Sequence, residues 1–492
     1  MATISPPDTT FLPRTLRRFD IVAMSVAAVI SFDTFGQIAS GGGEALTWSI
    51  AIVILFLVPY SMLFAETGAA FPQEGGPYVW VKLAFGKAVA AVTTLFYWVT
   101  NPIWLGGTLS FIAAATWDGF LSPLGTGTVA DYLFKLAFIW VAILIAIISL
   151  RHGKWVVTAG AVAKVFTITV FTGTALGYGI SHGFAGLSAA HFSPTVAGFL
   201  ALVPVLLFAY VGFEAPNAAG AEMHDPQRDV APALGRATTV AALCYVLPVL
   251  AILAVVPPDR ITGIGGFMEA ARLVFGVYGG AGGPILVLTA VLFVFSLVTQ
   301  GSAWMVVSDR MQAIAAADGG FFSRGLGAFH PRLGTPVRTN LLSGVIATVF
   351  MFAAMAVAGG DAAALFKVVL TVAITTLLMS YLVIIPALVA LRRIDVPRPY
   401  RVPGGRAGFL VCAGLVYAWI VIGSWSALFP GALEPLLGVD YDFEGKWQVS
   451  RLTFEVFTLG TVAVLILVAV LGRYVGHRWS AAPRADEPAH AP

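Results

Sequence analysis

The sequence predicts an all-α polytopic membrane protein with twelve transmembrane helices. Three observations carry this. The chain is 58% hydrophobic and only 11% charged, against roughly a quarter charged in an ordinary soluble domain. Its apolar runs repeatedly reach the ~20 residues that cross a bilayer as a helix, and they are apolar on every face instead of alternating at helical or strand period. The basic residues, finally, fall almost entirely on one side of those runs.

Apolar runs bounded by charged or Gly/Pro-rich punctuation lie near residues 20–40, 45–70, 88–116, 131–150, 155–181, 195–219, 236–256, 283–312, 340–358, 362–391, 407–429 and 452–476. With the N-terminus inside, 21 of the 28 Lys and Arg lie in inside segments, and only Arg260, Arg272, Lys446 and Arg451 lie outside. Cytoplasmic loops retain Lys and Arg, so the asymmetry predicts an even number of spans and two cytoplasmic termini, in a plasma (inner) membrane. An odd count would scramble it. Lys135, Lys164 and Lys367 remain within spans. Lys135 and Lys367 sit near span ends, where a long side chain snorkels to the interface.

The organisation that follows is a polar N-terminal tail over 1–19, a twelve-helix domain over 20–476, and a Pro/Ala-rich tail over 477–492 that is expected to be disordered. The first apolar stretch is too long for the core of a cleaved signal. Residues 257–282 read as a long external connection with a short helix around Phe267 to Phe275. Cys244 and Cys412 lie inside apolar segments and read as small buried hydrophobes, not as a disulfide. Nothing in the charge pattern points to nucleic acid. No P-loop, HExxH or CxxC spacing implies a cofactor or metal.

An ionisable side chain deep in a span costs a few kcal/mol, so its default reading is a paired or functional group facing the protein interior. Asp33, Lys164 and Glu214 stand out. Asp33 lies in "VISFDTFGQ" with Ser31, Thr34 and Gln37, whose side chains can satisfy backbone groups where a helix opens. The alternative is a continuous helix with Asp33 paired to a neighbour. Gly41 to Gly43 fit a tight turn between spans one and two. In the sixth span Gly212 and Glu214 stand just before Pro216 and Asn217, which weakens the helical ladder. Two carboxylates at irregular points five spans apart match an inverted repeat of five plus five helices with a site at its crossing.

The chain resembles the amino acid/polyamine/organocation superfamily of permeases, and within it the bacterial amino acid permeases of the glutamate/GABA antiporter type. The resemblance rests on "PQEGGPYVWVKLAFG" (72–86), "FAYVGFE" (208–214), "AEMHDPQRDVAPAL" (221–234) and "SDRMQAIAAADGGFFSRGLGAFHPRLGTPVRT" (308–339), and covers residues 15 to 476. It implies a secondary active transporter that moves an amino acid or related amine by alternating access, proton-coupled and sodium-independent, with an amine or polyamine exchanger as the alternative. It further implies that spans one and six unwind at mid-membrane. The substrate-binding residues of the first break would be Ile30, Ser31, Phe32, Asp33 and Thr34. Many relatives carry a Gly-Ser-Gly-like triplet there, whose amides hold a substrate carboxylate. This chain has Ser31-Phe32-Asp33, so either Asp33 is neutralised or the substrate presents its amine there.

Lys164, in "AGAVAKVFT", matches the lysine that takes the place of a sodium ion in proton-coupled relatives, and a lysine amine can take up and release a proton during a cycle. It is expected to meet Asp33 or nearby carbonyls of span one. A structural ion pair is the alternative role. Glu214 matches the acidic residue of the "GFE" motif linked to gating, or else anchors the broken helix. Phe208, Ala209, Tyr210, Val211 and Gly212 would form the second unwound stretch, with carbonyls at the negative end of a half-helix for a substrate ammonium. Asn101 and Trp104, one turn apart beside Pro102, can face the same cavity. Glu222, Asp225, Arg228 and Asp229 read as an inside loop after span six that makes salt bridges as an internal latch, weak where solvent reaches them. The partners implied are a small-molecule amino acid or amine, protons and the lipid bilayer. An ion channel would want rings of repeated polar residues, and a membrane enzyme would need a nucleophile or metal constellation that the sequence lacks.

Overall fold

The computed structural model describes residues 14–148, 150–184, 189–256, 266–357, 362–447 and 449–481. Its helices, in chain order, are α1 (Arg18–Val29), α2 (Phe32–Ala39), α3 (Gly43–Ala70), α4 (Pro77–Phe120), α5 (Val129–Ile148), α6 (Leu150–His182), α7 (Val196–Tyr210), α8 (Pro226–Val255), α9 (Gly266–Val274), α10 (Gly282–Ala317), α11 (Val337–Val357), α12 (Ala362–Leu391), α13 (Gly405–Leu428) and α14 (Arg451–Ala481). There is no strand among the described residues, only a single bridge between Leu16 and Met223. Among the described residues, eleven helical stretches are long and apolar enough to cross a membrane, and α1 with α2, bent by 45° at their junction, make a twelfth if taken as one span.

Local chemistry explains where these helices depart from straight rods. Gly86 takes φ 86° inside α4, so Pro77 to Phe85 form a short helical lead before the span proper. π-helical turns occur at Val53–Leu57 in α3 and Leu105–Leu109 in α4. Each lies beside a proline, Pro59 or Pro102, whose missing N–H removes a rung of the ladder. The expected short external helix is α9, which buries Phe267, Met268, Ala270, Ala271 and Val274. Residues 257–265 of the same connection lie outside the described residues. The last helix continues five residues into the segment that composition assigns to the C-terminal tail, and 482–492 lie outside the described residues.

The helices pack so that the first span is enclosed. α1 lies against α6, α8 and α10, while α12 packs along α4, and α13 along α7. Gly106 of α4 sits so close to α11 that a Cβ there would come 2.1 Å from the carbonyl oxygen of Ala347. The glycine run after α2 serves two needs. Gly42 takes φ 71° in the turn, whereas Gly43 opens α3 with its Cα pressed toward the backbone of His191.

One end of the bundle is tied by buried charge. Arg310 of α10 is 1% exposed and pairs with Glu74 at 2.5 Å and with Glu222 at 2.6 Å. The backbone amides of Thr15 and Leu16 donate to the Glu222 carbonyl, and His224 N donates to Leu16 O. Arg18 bridges to Asp229 at 2.8 Å and Asp225 caps α8. The expected salt bridges are present, but not as weak exposed ones throughout: Glu222 is buried, and Glu222 and Asp229 meet bases on other segments. Lys135 is likewise no snorkelling residue. It is 3% exposed, paired with Asp131 at 2.8 Å, and its ammonium lies 4.1 Å from the Phe111 ring centre.

Candidate functional site

The first break spans two residues. Ile30 and Ser31 leave the helical region (φ −78°, ψ 110° and φ −110°, ψ 105°), so α1 ends at Val29 and α2 begins at Phe32. Backbone groups freed inside an apolar bundle need partners, and here side chains from three neighbouring helices supply them. Lys164 Nζ of α6 donates to the carbonyls of Ala27 (2.8 Å) and Ile30 (2.6 Å) and to Gln300 Oε1 (2.9 Å). Trp304 Nε1 of α10 donates to Ala28 O at 2.9 Å. Thr34 Oγ1 donates to Ser31 O, and Gln300 Nε2 to Ser31 Oγ at 2.5 Å.

Lys164 is fully buried, and three acceptors surround an ammonium that has three protons to donate. Of the two partners expected for it, the structure places it on the carbonyls and on Gln300, not in contact with Asp33. Asp33 is the second residue of α2 and 2% exposed. Its Oδ2 accepts from Trp104 Nε1 at 2.9 Å, and its Oδ1 has no hydrogen-bond partner. A carboxylate in the first turn of a helix lies at the positive end of the helix dipole.

The second break follows α7. Val211 is extended (φ −87°, ψ 162°) and Gly212 takes φ 124°, after which a 3₁₀ stretch runs from Ala215 to Glu222. Only glycine suits residue 212. Its φ lies in the left-handed region, and a Cβ there would come 2.9 Å from the Trp304 ring. Glu214 is fully buried and accepts from Tyr60 of α3, from Tyr97 of α4 (2.6 Å) and from Tyr381 of α12 (2.5 Å). The carboxylate therefore fixes the second break to three helices at once.

Tyr245 of α8 joins the two breaks. Its hydroxyl accepts from Ser31 N at 2.9 Å and shares its proton between Val29 O and Ala209 O, each at 2.8 Å. Between the breaks lies a small void of about 10 Å³, room for about one water molecule, lined by Ala28, Ser31, Thr100, Asn101, Trp104, Phe208, Trp304 and Leu377.

The amino acid permease family's sequence profile matches residues 16–435. The chain belongs to that family. It is 26% identical over 411 residues to a probable agmatine/putrescine antiporter of Lactococcus lactis, covering 82% of this chain and 86% of that one. It is also 26% identical over 470 residues to an uncharacterized transporter of Legionella pneumophila, covering 92% and 96%. An uncharacterized transporter of Mycobacterium tuberculosis is 24% identical over 69% of this chain and 75% of its own. The chain is thus an integral membrane transporter, not an enzyme.

Within this permease, Ser31, Asn101, Trp104 and Phe208 line the cavity. The unwound stretches are shorter than expected, only Ile30–Ser31 and Val211–Gly212: Phe32 to Thr34 already belong to α2 and Phe208 to Tyr210 to α7. Asp33 does not line the cavity itself but is joined to it through Trp104, and the other residues named from the sequence turn elsewhere. Phe32 packs against Phe35, Phe267 and Phe293, and Thr34 spends its hydroxyl on Ser31 O. Tyr210 bonds to Ser49 Oγ at 2.7 Å. The Ala209 carbonyl is taken by Tyr245, while Gly212 N donates to Tyr60 Oη at 3.2 Å. Ile30 and Val211 are buried backbone positions. Sequence reasoning missed Tyr60, Tyr97, Tyr245, Gln300, Trp304 and Tyr381. Their only signal is a polar tip inside an apolar run, which is shared by many lipid-interface aromatics.

Proposed function

We propose that this permease is a carrier for a cationic amine or an amine-presenting amino acid, working by alternating access and exchange. One observation carries the reading. The half-helix N-terminus that would hold a solute's carboxylate already contains the chain's own carboxylate, Asp33, whose Oδ1 has no partner. A solute carboxylate there would meet like charge, and a solute ammonium opposite charge. The name of the Lactococcus relative, a probable agmatine/putrescine antiporter, supports the same class of solute.

In this reading α1 and α2, with α7 and the 3₁₀ stretch, are the broken first and sixth spans of a five-plus-five inverted repeat. Both termini lie in the cytoplasm and the membrane is the plasma membrane, in keeping with the distribution of Lys and Arg. Trp104, hydrogen-bonded to Asp33, and Phe208, whose ring meets it edge-on with centroids 5.8 Å apart, close over the solute. Lys164 holds α1 to α6 and α10 while its ammonium is intact, and loss of its proton releases the Ile30 carbonyl. That step couples transport to protons without sodium.

Counterflow in proteoliposomes tests the reading. Agmatine and putrescine are expected to drive exchange better than neutral zwitterions. Asp33→Asn should lower kcat/KM for those amines ten- to a hundredfold, the ~1.5–3 kcal/mol of a charge-assisted bond. Preferred uptake of zwitterions, unchanged by Asp33→Asn, would overturn it.

A further inference from the structure

A second cavity lies along the same helices as the central one, at the end of the bundle opposite the buried Arg310 cluster. It is open, with a volume of about 390 Å³, and reaches from Gln37 after the first break to the connection between α13 and α14. Val205 and Ile374 line it, whereas Phe208 and Leu377, three residues further along α7 and α12, line the closed cavity. Three residues along a helix are ~4.5 Å. The two spaces are therefore stacked on one path with Phe208 and Leu377 between them.

The outer space contains a carboxylate with nothing to hold. Glu434 is 5% exposed and lines the cavity, yet its side chain makes no hydrogen bond or ion pair among the described residues. Its carboxylate oxygens are not among the fully buried unpartnered polar atoms, so they face the open space of the cavity. Ser426 Oγ, also buried and lining this space, has no partner either. The other charges here are engaged elsewhere. Glu44 Oε2 caps α7 through the amide and hydroxyl of Thr195. Lys367 Nζ donates to the Lys446 carbonyl, and the Lys446 ammonium lies 4.4 Å from the Tyr441 ring centre.

We propose that this outer cavity is a subsite for the ammonium group of the transported solute, with Glu434 as its anchor and Ser426 as a second contact. A solute docks there before Phe208 and Leu377 part. The site would accept the terminal ammonium of a diamine or the α-ammonium of an amino acid, and the uptake measurements below distinguish these.

Two measurements test it. In the Cys244→Ser, Cys412→Ser background, Ser426→Cys is labelled with a cationic trimethylammonium-ethyl and an anionic sulfonatoethyl methanethiosulfonate. The cation-to-anion rate ratio is expected to fall at least fivefold when Glu434→Gln is added; an unchanged ratio overturns the proposal. This arm needs no knowledge of the solute, so it stands even if the amine reading of the central site fails. In the second arm, Glu434→Gln should raise the external KM of putrescine about fivefold or more, with kcat and the internal KM unchanged, and Glu434→Asp should recover most of the loss. The same shift for a zwitterion but not for putrescine would assign the subsite to amino acids. Equal KM values in wild type and Glu434→Gln for both solutes would refute it.

Discussion

Tyr245→Phe removes one oxygen and tests whether the two breaks act as a unit. The substitution keeps the ring that packs edge-on against Phe35 and Tyr210. It takes away the acceptor of Ser31 N–H and the proton shared by Val29 O and Ala209 O. A buried amide left without a partner costs ~1–3 kcal/mol, and a lost carbonyl bond about 1. The segment joining the breaks should thus lose about 2–4 kcal/mol of local stability. At 1.4 kcal/mol per decade, the lower figure is roughly thirtyfold in the opening equilibrium. Hydrogen exchange of a peptide spanning Ser31, in protein held in nanodiscs, reads that equilibrium directly. Protection there is expected to drop by at least thirtyfold, while peptides of α13 and α14 stay unchanged. A change of less than threefold at Ser31 would show that the hydroxyl does not hold the breaks together.

Lys164→Ala frees the carbonyls of Ala27 and Ile30 together with Gln300 Oε1; accumulation driven by an imposed pH gradient should vanish, and undiminished accumulation would exclude a coupling role. Burial, opposed by Arg310, lifts Glu74 to about 7 from its ordinary 4.5. The folded protein therefore binds this proton more tightly than the unfolded chain does, and stability falls as pH rises from 4.5 to 7, by up to ~1.4 kcal/mol per pH unit. Melting curves of Glu74→Gln should lack that decline relative to wild type, and parallel curves would disprove it. Gly106→Ala forces a methyl onto the Ala347 carbonyl and should cost ~1–3 kcal/mol or more, seen as a lower Tm. At Gly119 nothing lies within 4 Å of a Cβ, so Gly119→Ala should be neutral or slightly stabilising. Equal Tm changes at the two sites would contradict the packing.

How far the sequence reaches is plain at the breaks. The apolar run lengths locate the membrane helices because a bilayer demands ~20 apolar residues whatever their neighbours are. The polar cluster around Asp33 and the glycine at 212 mark where the ladder opens, since both are local backbone properties. Glu214 stands out as costly for the same reason. What each of these residues touches is another matter. Lys164 had two candidate partners from the sequence, and only packing places its amine on the carbonyls of Ala27 and Ile30, leaving Asp33 to Trp104.

The sequence by itself determined the all-helical membrane class, the approximate spans, the two irregular points and the ionisable residues that had to be accounted for, because burial in lipid constrains composition residue by residue. Only the tertiary structure decided the partners: three tyrosines from three helices on Glu214, one hydroxyl of Tyr245 across both breaks, and Glu222 and Lys135 buried where an inside loop and a span end were expected. The physical reason is range. Hydropathy and backbone propensity act within a few residues of chain, whereas most of these buried hydrogen bonds are satisfied by whichever helix the packing brings alongside, tens to hundreds of residues away.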